Sequence, residues 1–476
     1  MFQTQKSITL KYRDEILNGP IITIFLKLGL PLLLVRLVQD VYLLVDMFWL
    51  SRYNQYDMAV PRQVMPSYML YNVFIMSFSS ANLALLSQYV GAKMYSEVST
   101  TFRKMLYLSL LGGVLSGVAF YFTAPSLFTY FVQVPDEILI DVIGYAQVLA
   151  FDIMIQGFNI ALVTLIQSMG DTRTTATAQV SGGLANVILD PIFINGIGPL
   201  PAMGAVGAAL ATMLSKFVSI GIMINKLKKQ YPWIKLGLDF TLDASYVSLT
   251  MRIAAPLLVM GISNSLAFNL QNRLVNMFGV IAATAFSLGF MLFDLANTAL
   301  WGLTDGISIM VGQTLGAGDS RRAKVIAWKT TLFIFTVVAF SSVIIYLTKN
   351  YIAGVFITGE GLTLEHVLKI YEEYDKFVNT TIWTLAFFAI TFSGMSIGRG
   401  SGHTLMPTVI NMVRLWGFRI ALGYILALVL GLGTMGIYMA FALSNVIGGL
   451  ASFAWVIMGT WAKPVIRGLN SDSVQH

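Results

Sequence analysis

Apolar runs of twenty or more residues recur along the whole 476-residue chain. A helix crossing the ~30 Å hydrocarbon core of a bilayer needs about that length. The recurrence leaves few folds open, because backbone groups in lipid must find their hydrogen bonds within the protein. Only helices and closed barrels satisfy that condition. A barrel would show short alternating segments, and none are seen. Charged residues make up only 11% of the chain, against roughly 25% in a soluble domain. An all-α integral membrane protein is therefore expected.

Apolar runs bounded by charges or Gly/Pro breaks predict twelve transmembrane helices. They fall near 21–51, 64–90, 103–132, 138–168, 175–196, 204–227, 250–278, 281–315, 325–357, 370–399, 405–430 and 434–462. Basic residues gather at the N-terminus (Lys6, Lys11, Arg13), in the even-numbered turns (Lys93, Arg103, Lys104, Arg173, Lys226, Lys228, Lys229, Lys235, Arg321, Arg322, Lys324, Arg399) and at the C-terminus (Lys463, Arg467). Glu360, Glu365, Glu372, Glu373 and Asp375 crowd one odd-numbered turn. By the positive-inside rule both termini are cytoplasmic. The net charge of +7 thus reflects topology, and no nucleic-acid partner is expected. The absence of cysteine excludes disulfides and Cys-ligated metals. Met1–Pro20 shows no cleavable signal pattern, so the first helix should be retained.

The chain divides into an N-lobe (1–227, helices 1–6), a cytoplasmic linker (228–249) and a C-lobe (250–476, helices 7–12). Leu30-Pro31-Leu32-Leu33 matches Ala255-Pro256-Leu257-Leu258, and Gln88–Ala92 matches Gln313–Ala317, both at an offset of 225; Met203-Gly204 matches Met435-Gly436 at 232. Six helices per lobe give the two pseudo-symmetric lobes one orientation, with an axis along the membrane normal and a cavity between them. That is a transporter-like plan.

Asp46 and Asp190 lie deep inside apolar runs. An ionised carboxylate at the bilayer centre costs about 2.5–3.5 kcal/mol even on mild insertion scales, so such residues usually have a use. Asn186 and Asp190 are four apart and share one helix face. Asp46, Asp190 and Thr212 all fall at similar depth in the outer half of the membrane. Together the four make an all-oxygen site for a proton or a hard cation such as Na⁺. The other lobe lacks the set: at the same offsets Asp46 becomes Gln271, Asp190 becomes Leu422 and Asn186 becomes Phe418.

Other polar residues outline a substrate cavity. Candidates are Gln39, Tyr42, Asn159, Asn269, Arg273, Asp294 and Trp301, the last two on a helical stripe with Asn297 and Asp305. Arg36 and Asp40 are spaced to pair locally, and Arg414 and Arg419 either face the cavity or neutralise Asp294. Enzyme signals are absent: three His, no phosphate loop and no metal-ligand spacing. Gly398–Gly402 is expected to be a turn between helices.

Gln39-Asp40-Val41-Tyr42-Leu43-Leu44-Val45-Asp46 resembles the first-helix signature of the multidrug and toxic compound extrusion (MATE) family. Gln88–Ala92, Gly312–Gly318 and Ser168–Thr172 resemble its cytoplasmic turns. Asn186–Phe193 followed by Gly204–Thr212 is the most specific match, and the resemblance covers essentially the whole chain. In the DinF-like branch, residues matching Asp46, Asn186, Asp190 and Thr212 form the N-lobe cation site, and the first helix bends near a proline matching Pro31. Leu43, Ile160 and Val163 depart from the polar residues common in relatives. The resemblance implies a monomeric plasma-membrane antiporter with no cofactor. It would export amphipathic, often cationic, drug-like compounds in exchange for H⁺ or Na⁺. The alternatives are a lipid-linked oligosaccharide flippase of the same superfamily and, from another class, an intramembrane enzyme.

Overall fold

A computed structural model describes residues 11–54, 57, 59–197, 199–241, 243–356 and 364–466; every regular element among them is helical. Lys6, Glu360 and Arg467 of the charge pattern lie outside the described residues. The long helices among these residues are α1 Ile21–Tyr53, α2 Ala59–Gly91, α3 Tyr95–Ser126, α4 Asp136–Ser168, α5 Thr172–Asn195 and α6 Gly204–Gln230. They continue with α7 Ala244–Asn276, α8 Val280–Gly316, α9 Ser320–Phe356, α10 Leu364–Ser401, α11 Leu405–Val429 and α12 Gly433–Met458. Each expected span coincides with one of them. The chain is a multi-pass, all-α membrane protein.

Eleven of these helices are long and apolar enough to cross a membrane, and α5 is the exception. It opens on Thr172-Arg173-Thr174-Thr175 and carries Gln179, Asn186 and Asp190. It packs on α6 and α1, and its polar residues Asn186 and Asp190 are buried, while Leu184 and Ile188 on its outer face are exposed.

Three expectations about chain breaks need correction. Glu365, Glu372, Glu373 and Asp375 belong to helix, not to a turn, because Leu364–Thr381 is amphipathic and buries Ile370, Tyr374, Phe377, Val378 and Thr381 along one stripe. A 3₁₀ turn, Ile382–Thr384, then joins it to the rest of α10. Gly398–Ser401 is likewise helical, and the helix ends only at Gly402, whose φ of +78° suits a residue without a side chain. The connection between α6 and α7 is shorter than 228–249. Lys228 and Lys229 continue the last turn of α6, where cations complement the helix dipole. Asp243 caps α7 by accepting the Tyr246 N–H at 2.5 Å. Its ion pair with Lys104 (2.7 Å) and that cap hold its carboxyl down to about 2.

The first half is packed around two apolar clusters, one including Leu85, Phe102, Leu165 and Met223, the other Leu50, Phe120, Leu149 and Ile194. In the second half Phe286, Phe293, Phe377 and Phe441 form an aromatic core. A fourth cluster, including Phe25, Ile307, Met310 and Trp455, crosses from α1 to α8 and α12.

The seam between the halves follows the repeat. Helices α1 and α2 pack on α8, and α2 also packs on α7. Where α2 and α8 end, a Cβ on Gly91 would collide with the Gln313 carbonyl, and one on Gly316 with the Gln88 carbonyl. Gln88 Nε2 donates to Ser401 O at 3.1 Å, while Gln313 Nε2 donates to Ser168 O at 2.7 Å. Glycine is needed at both positions because two backbones meet there. The N-terminal residues fasten this junction: Arg13 Nε donates to Gly91 O (2.8 Å) and Arg322 Nη2 to Gly19 O (2.7 Å).

Candidate functional site

Two local devices set the register of the polar helices in the first half. Gly170 (φ +83°) turns the chain out of α4. Asp171 then caps α5, accepting the Thr174 N–H at 3.1 Å and its hydroxyl at 2.7 Å. Asp57 does the same for α6, accepting from the Ala205 N–H at 3.0 Å. With α5 and α6 so placed, Asn186 and Asp190 share a face and Thr212 stands beside them.

The four residues expected to form a cation site do come together. The carboxyl groups of Asp46 on α1 and Asp190 on α5 lie within hydrogen-bonding reach of each other. Asn186 Nδ2 donates to Asp190 Oδ1 at 3.1 Å and reaches Thr212 Oγ1 at 3.5 Å. Asp190 is 0% exposed and Asp46 7%. Three oxygens in this cluster, Asp46 Oδ1, Asn186 Oδ1 and Asp190 Oδ2, are buried without a hydrogen-bond partner. Buried polar atoms in native proteins are usually satisfied. A group of unsatisfied oxygens around two acids suits a proton or a hard cation.

Another buried acid inside the membrane-spanning helices of this half is not evident from the sequence reading. Asp152 on α4 is fully buried; it forms an ion pair with Lys216 on α6 at 2.6 Å and accepts from the Tyr68 hydroxyl at 2.6 Å. Tyr145, also buried, stands within electrostatic reach of Asp46, Asp152 and Asp190. The signal is present in the chain: Asp152 and Lys216 each sit well inside an apolar run, as Asp46 does.

Around this cluster, Tyr42 packs its ring against Gly183 of α5. Asn159 on α4 is buried and accepts from Gln179 Nε2 at 3.3 Å. Gln39 accepts from Arg36 Nη1 at 3.4 Å. Arg36 therefore turns to Gln39, and the expected Arg36–Asp40 ion pair is not found among the described residues. Pro31 lies in a helix without a break from Ile21 to Tyr53. A Cβ on Gly29 would crowd Leu303 of α8, and one on Gly302 would crowd Leu33, so α1 meets α8 closely around that proline.

In the second half a cavity of about 100 Å³ is lined by Asp294, Asn297 and Trp301 of α8, with Asn264 and Phe268 of α7, Phe388 and Phe392 of α10, Arg414 and Arg419 of α11, and Phe441 of α12. Asn269 and Arg273 are exposed and do not line it. Asp305, fourth on the α8 stripe, instead pairs with Arg399 at 2.9 Å. Arg414 and Arg419 do face the cavity, but neither forms an ion pair with Asp294 among the described residues. They come together because α11 is a π-helix over Val413–Ala421. Its i→i+5 hydrogen bonding sets residues five apart above one another.

The MatE family model matches residues 31–192 and 256–425, a stretch in each half. The chain is 25% identical to "Probable multidrug resistance protein YoeA" of Bacillus subtilis (strain 168), over 89% of this chain and 92% of that one. It is 22% identical to "Probable multidrug resistance protein NorM" of Thermotoga maritima, over 93% of each. Among solved structures, "Crystal structure of MATE in the bent conformation" superposes with a TM-score of 0.85 at 21% identity, covering 94% of this chain and 97% of that one. An outward-facing multidrug resistance MATE family transporter of the MOP superfamily superposes with a TM-score of 0.83 at 21% identity, covering 93% and 97%.

Proposed function

The chain belongs to the MatE family, and from that premise we propose that it is a secondary multidrug antiporter whose first half holds the coupling ion. It is a membrane transporter of small molecules and not an enzyme. We assign it amphipathic, often cationic, organic substrates, exported in exchange for H⁺ or Na⁺, with Asp46, Asn186, Asp190 and Thr212 as the ion site of a DinF-like member. The named relatives, each described as a "Probable multidrug resistance protein", are matched over 92% and 93% of their length, which supports the substrate class. The pattern of Lys and Arg supports a cytoplasmic location for both termini, and a plasma-membrane location is part of the proposal. The lobes 1–227 and 250–476, working as a monomer, complete the proposal.

One observation carries this reading: two buried carboxyls from different helices within hydrogen-bonding reach of each other. Two carboxylates that close do not both ionise without a proton or a cation between them. Loading from outside satisfies the orphaned oxygens and draws α1 to α5; release inside restores repulsion and frees α1. Because α1 also packs on α8, its movement is felt in both halves, with Pro31 as the hinge. That proline leaves a carbonyl one turn earlier without its N–H partner, which lowers the resistance to bending there. Export follows when ion and substrate favour different states, since a ligand that binds both states equally shifts neither.

The test is efflux of ethidium, a lipophilic cationic dye, from energised cells. Asp46→Asn and Asp190→Asn should each abolish efflux while membrane levels and thermal unfolding stay near wild type. Efflux at the wild-type rate in either variant, at matched expression, would remove the acids from the mechanism.

A further inference from the structure

The cavity in the second half carries two arginines that form no ion pair among the described residues. Arg414 is 5% exposed and Arg419 3%. Arg414 donates from Nε and Nη2 to Asn411 Oδ1 (3.3 and 2.8 Å) and from Nη1 to Asn445 Oδ1 (3.2 Å). Arg419 donates from Nε to Ser444 Oγ (3.1 Å) and from Nη2 to Asn445 Oδ1 (2.7 Å). Every one of these acceptors is neutral. Asp294, on the opposite wall, makes no ion pair with either arginine among the described residues. Burying an ion without a counter-charge is strongly unfavourable, and the full compensation comes only from an opposite charge with good geometry.

The rest of the site is built to hold the two guanidiniums in place. The Asn445 side chain is itself anchored, donating from Nδ2 to Thr384 Oγ1 at 3.1 Å. Gly448 leaves the space that the Arg414 stem occupies; a Cβ there would overlap it. Guanidinium planes lie over aromatic rings, Arg419 3.9 Å from the Phe441 centroid and Arg414 5.3 Å from that of Phe388. Positive charge, fork-shaped donors and aromatic walls meet in one cavity. A bidentate carboxylate or sulfonate matches such donors, and an aromatic body matches the walls.

We propose that this cavity is a binding site for organic anions, specifically aromatic carboxylates or sulfonates, with Arg414 and Arg419 as the charge-recognising pair. The second half thus accepts a ligand of the sign opposite to that expected of the substrates above. The idea rests on the transporter reading only in expecting a small-molecule ligand. Equilibrium binding tests it with no gradient present, so its failure and a failure of ion coupling are separate results.

The experiment uses the full-length protein in phosphatidylcholine nanodiscs and three matched probes: 9-anthracenecarboxylate, neutral 9-anthracenemethanol and cationic 9-anthracenemethylamine. The carboxylate should bind roughly ten- to a hundredfold more tightly than the alcohol, the range expected for a charge-assisted hydrogen-bonded contact. The amine should bind no better than the alcohol. R414Q/R419Q should erase the preference for the carboxylate, R414K/R419K should keep part of it, and R321Q, at an exposed arginine of α9, should leave it intact. Phosphatidylglycerol added to the nanodiscs should not compete; competition would overturn the assignment to a free organic anion in favour of a lipid headgroup. If the glutamine variant fails to fold, the wild-type comparison of the three probes decides. Equal binding of carboxylate and alcohol to the wild-type protein would overturn the proposal, as would a preference that survives in a folded R414Q/R419Q.

Discussion

In the first half the fifth helix, α5, sets Asn186 and Asp190 against Asp46 of α1 and leaves three buried oxygens unsatisfied. In the second half its counterpart, α11, sets Arg414 and Arg419 against Asn445 of α12 and surrounds them with aromatic rings. The halves share a plan where they touch each other: Gly91 and Gly316, and Gln88 and Gln313, make reciprocal contacts at positions 225 apart. They diverge in polarity where each encloses its own polar core. The lesson is that the repeat holds the backbone frame common and leaves the fifth helix of each half free to carry different chemistry. The difference reaches the backbone as well, since α5 is α-helical through its acids while α11 takes π geometry through its arginines.

The comparison breaks or sharpens on a series of substitutions, taken from the largest expected effect downward. Asp190→Asn should reduce substrate efflux to the level of cells lacking the protein, whereas Asp294→Asn in the second half should leave gradient-driven efflux in place; parallel efflux measurements separate them. Lys216→Met strands the buried Asp152 carboxylate and should lower stability by about 3–5 kcal/mol, read as a fall in the midpoint of thermal unfolding. Asn445→Leu removes the oxygen shared by two guanidiniums. A loss of about 2–3 kcal/mol is expected, smaller than for Lys216→Met because each arginine keeps another acceptor. Gly91→Ala and Gly316→Ala should each destabilise the closed seam by about 1–3 kcal/mol, and by similar amounts, since the two contacts mirror each other. Clearly unequal effects in a cross-linking assay of the seam would show that the repeat is only approximate there.

Asp243→Asn, in the connection between the halves, should have the smallest effect and leave transport unchanged. The Asp243 carboxyl is held down to about 2 by Lys104 and the Tyr246 N–H. Its folded-state value lies below the ordinary value of about 3.9, so its stabilising effect is complete above that ordinary value. It fades as the pH falls toward about 2. Unfolding midpoints of wild type and Asp243→Asn should therefore converge between about pH 4 and pH 2.

The helices are legible in the sequence because lipid dictates length and composition, and the clustering of Asp46, Asn186, Asp190 and Thr212 because a carboxylate inside an apolar run is conspicuous. Less can be read where three-dimensional partners decide. Asp152 is easily missed although the same argument applies to it; its ion pair with Lys216 joins residues 64 apart in the chain. The closeness of Arg414 and Arg419 is not legible at all, because α-helical spacing puts residues five apart on different faces and the π-helix of α11 is not written in the local pattern. The Glu365–Asp375 acids suggest a turn by their charge, while Ile370, Tyr374, Phe377 and Val378 already carry the helical period. Spacing alone pairs Arg36 with Asp40, but a competing amide one residue nearer takes it.

The central claim, that the acids of the first half couple ion movement to export, is tested most directly in proteoliposomes with pH and Na⁺ gradients imposed separately. For the wild-type protein one of the two gradients should drive ethidium against its concentration. In Asp46→Asn that driven component should vanish while equilibrium exchange of ethidium across the membrane persists. Gradient-driven transport of undiminished size in Asp46→Asn would contradict the account.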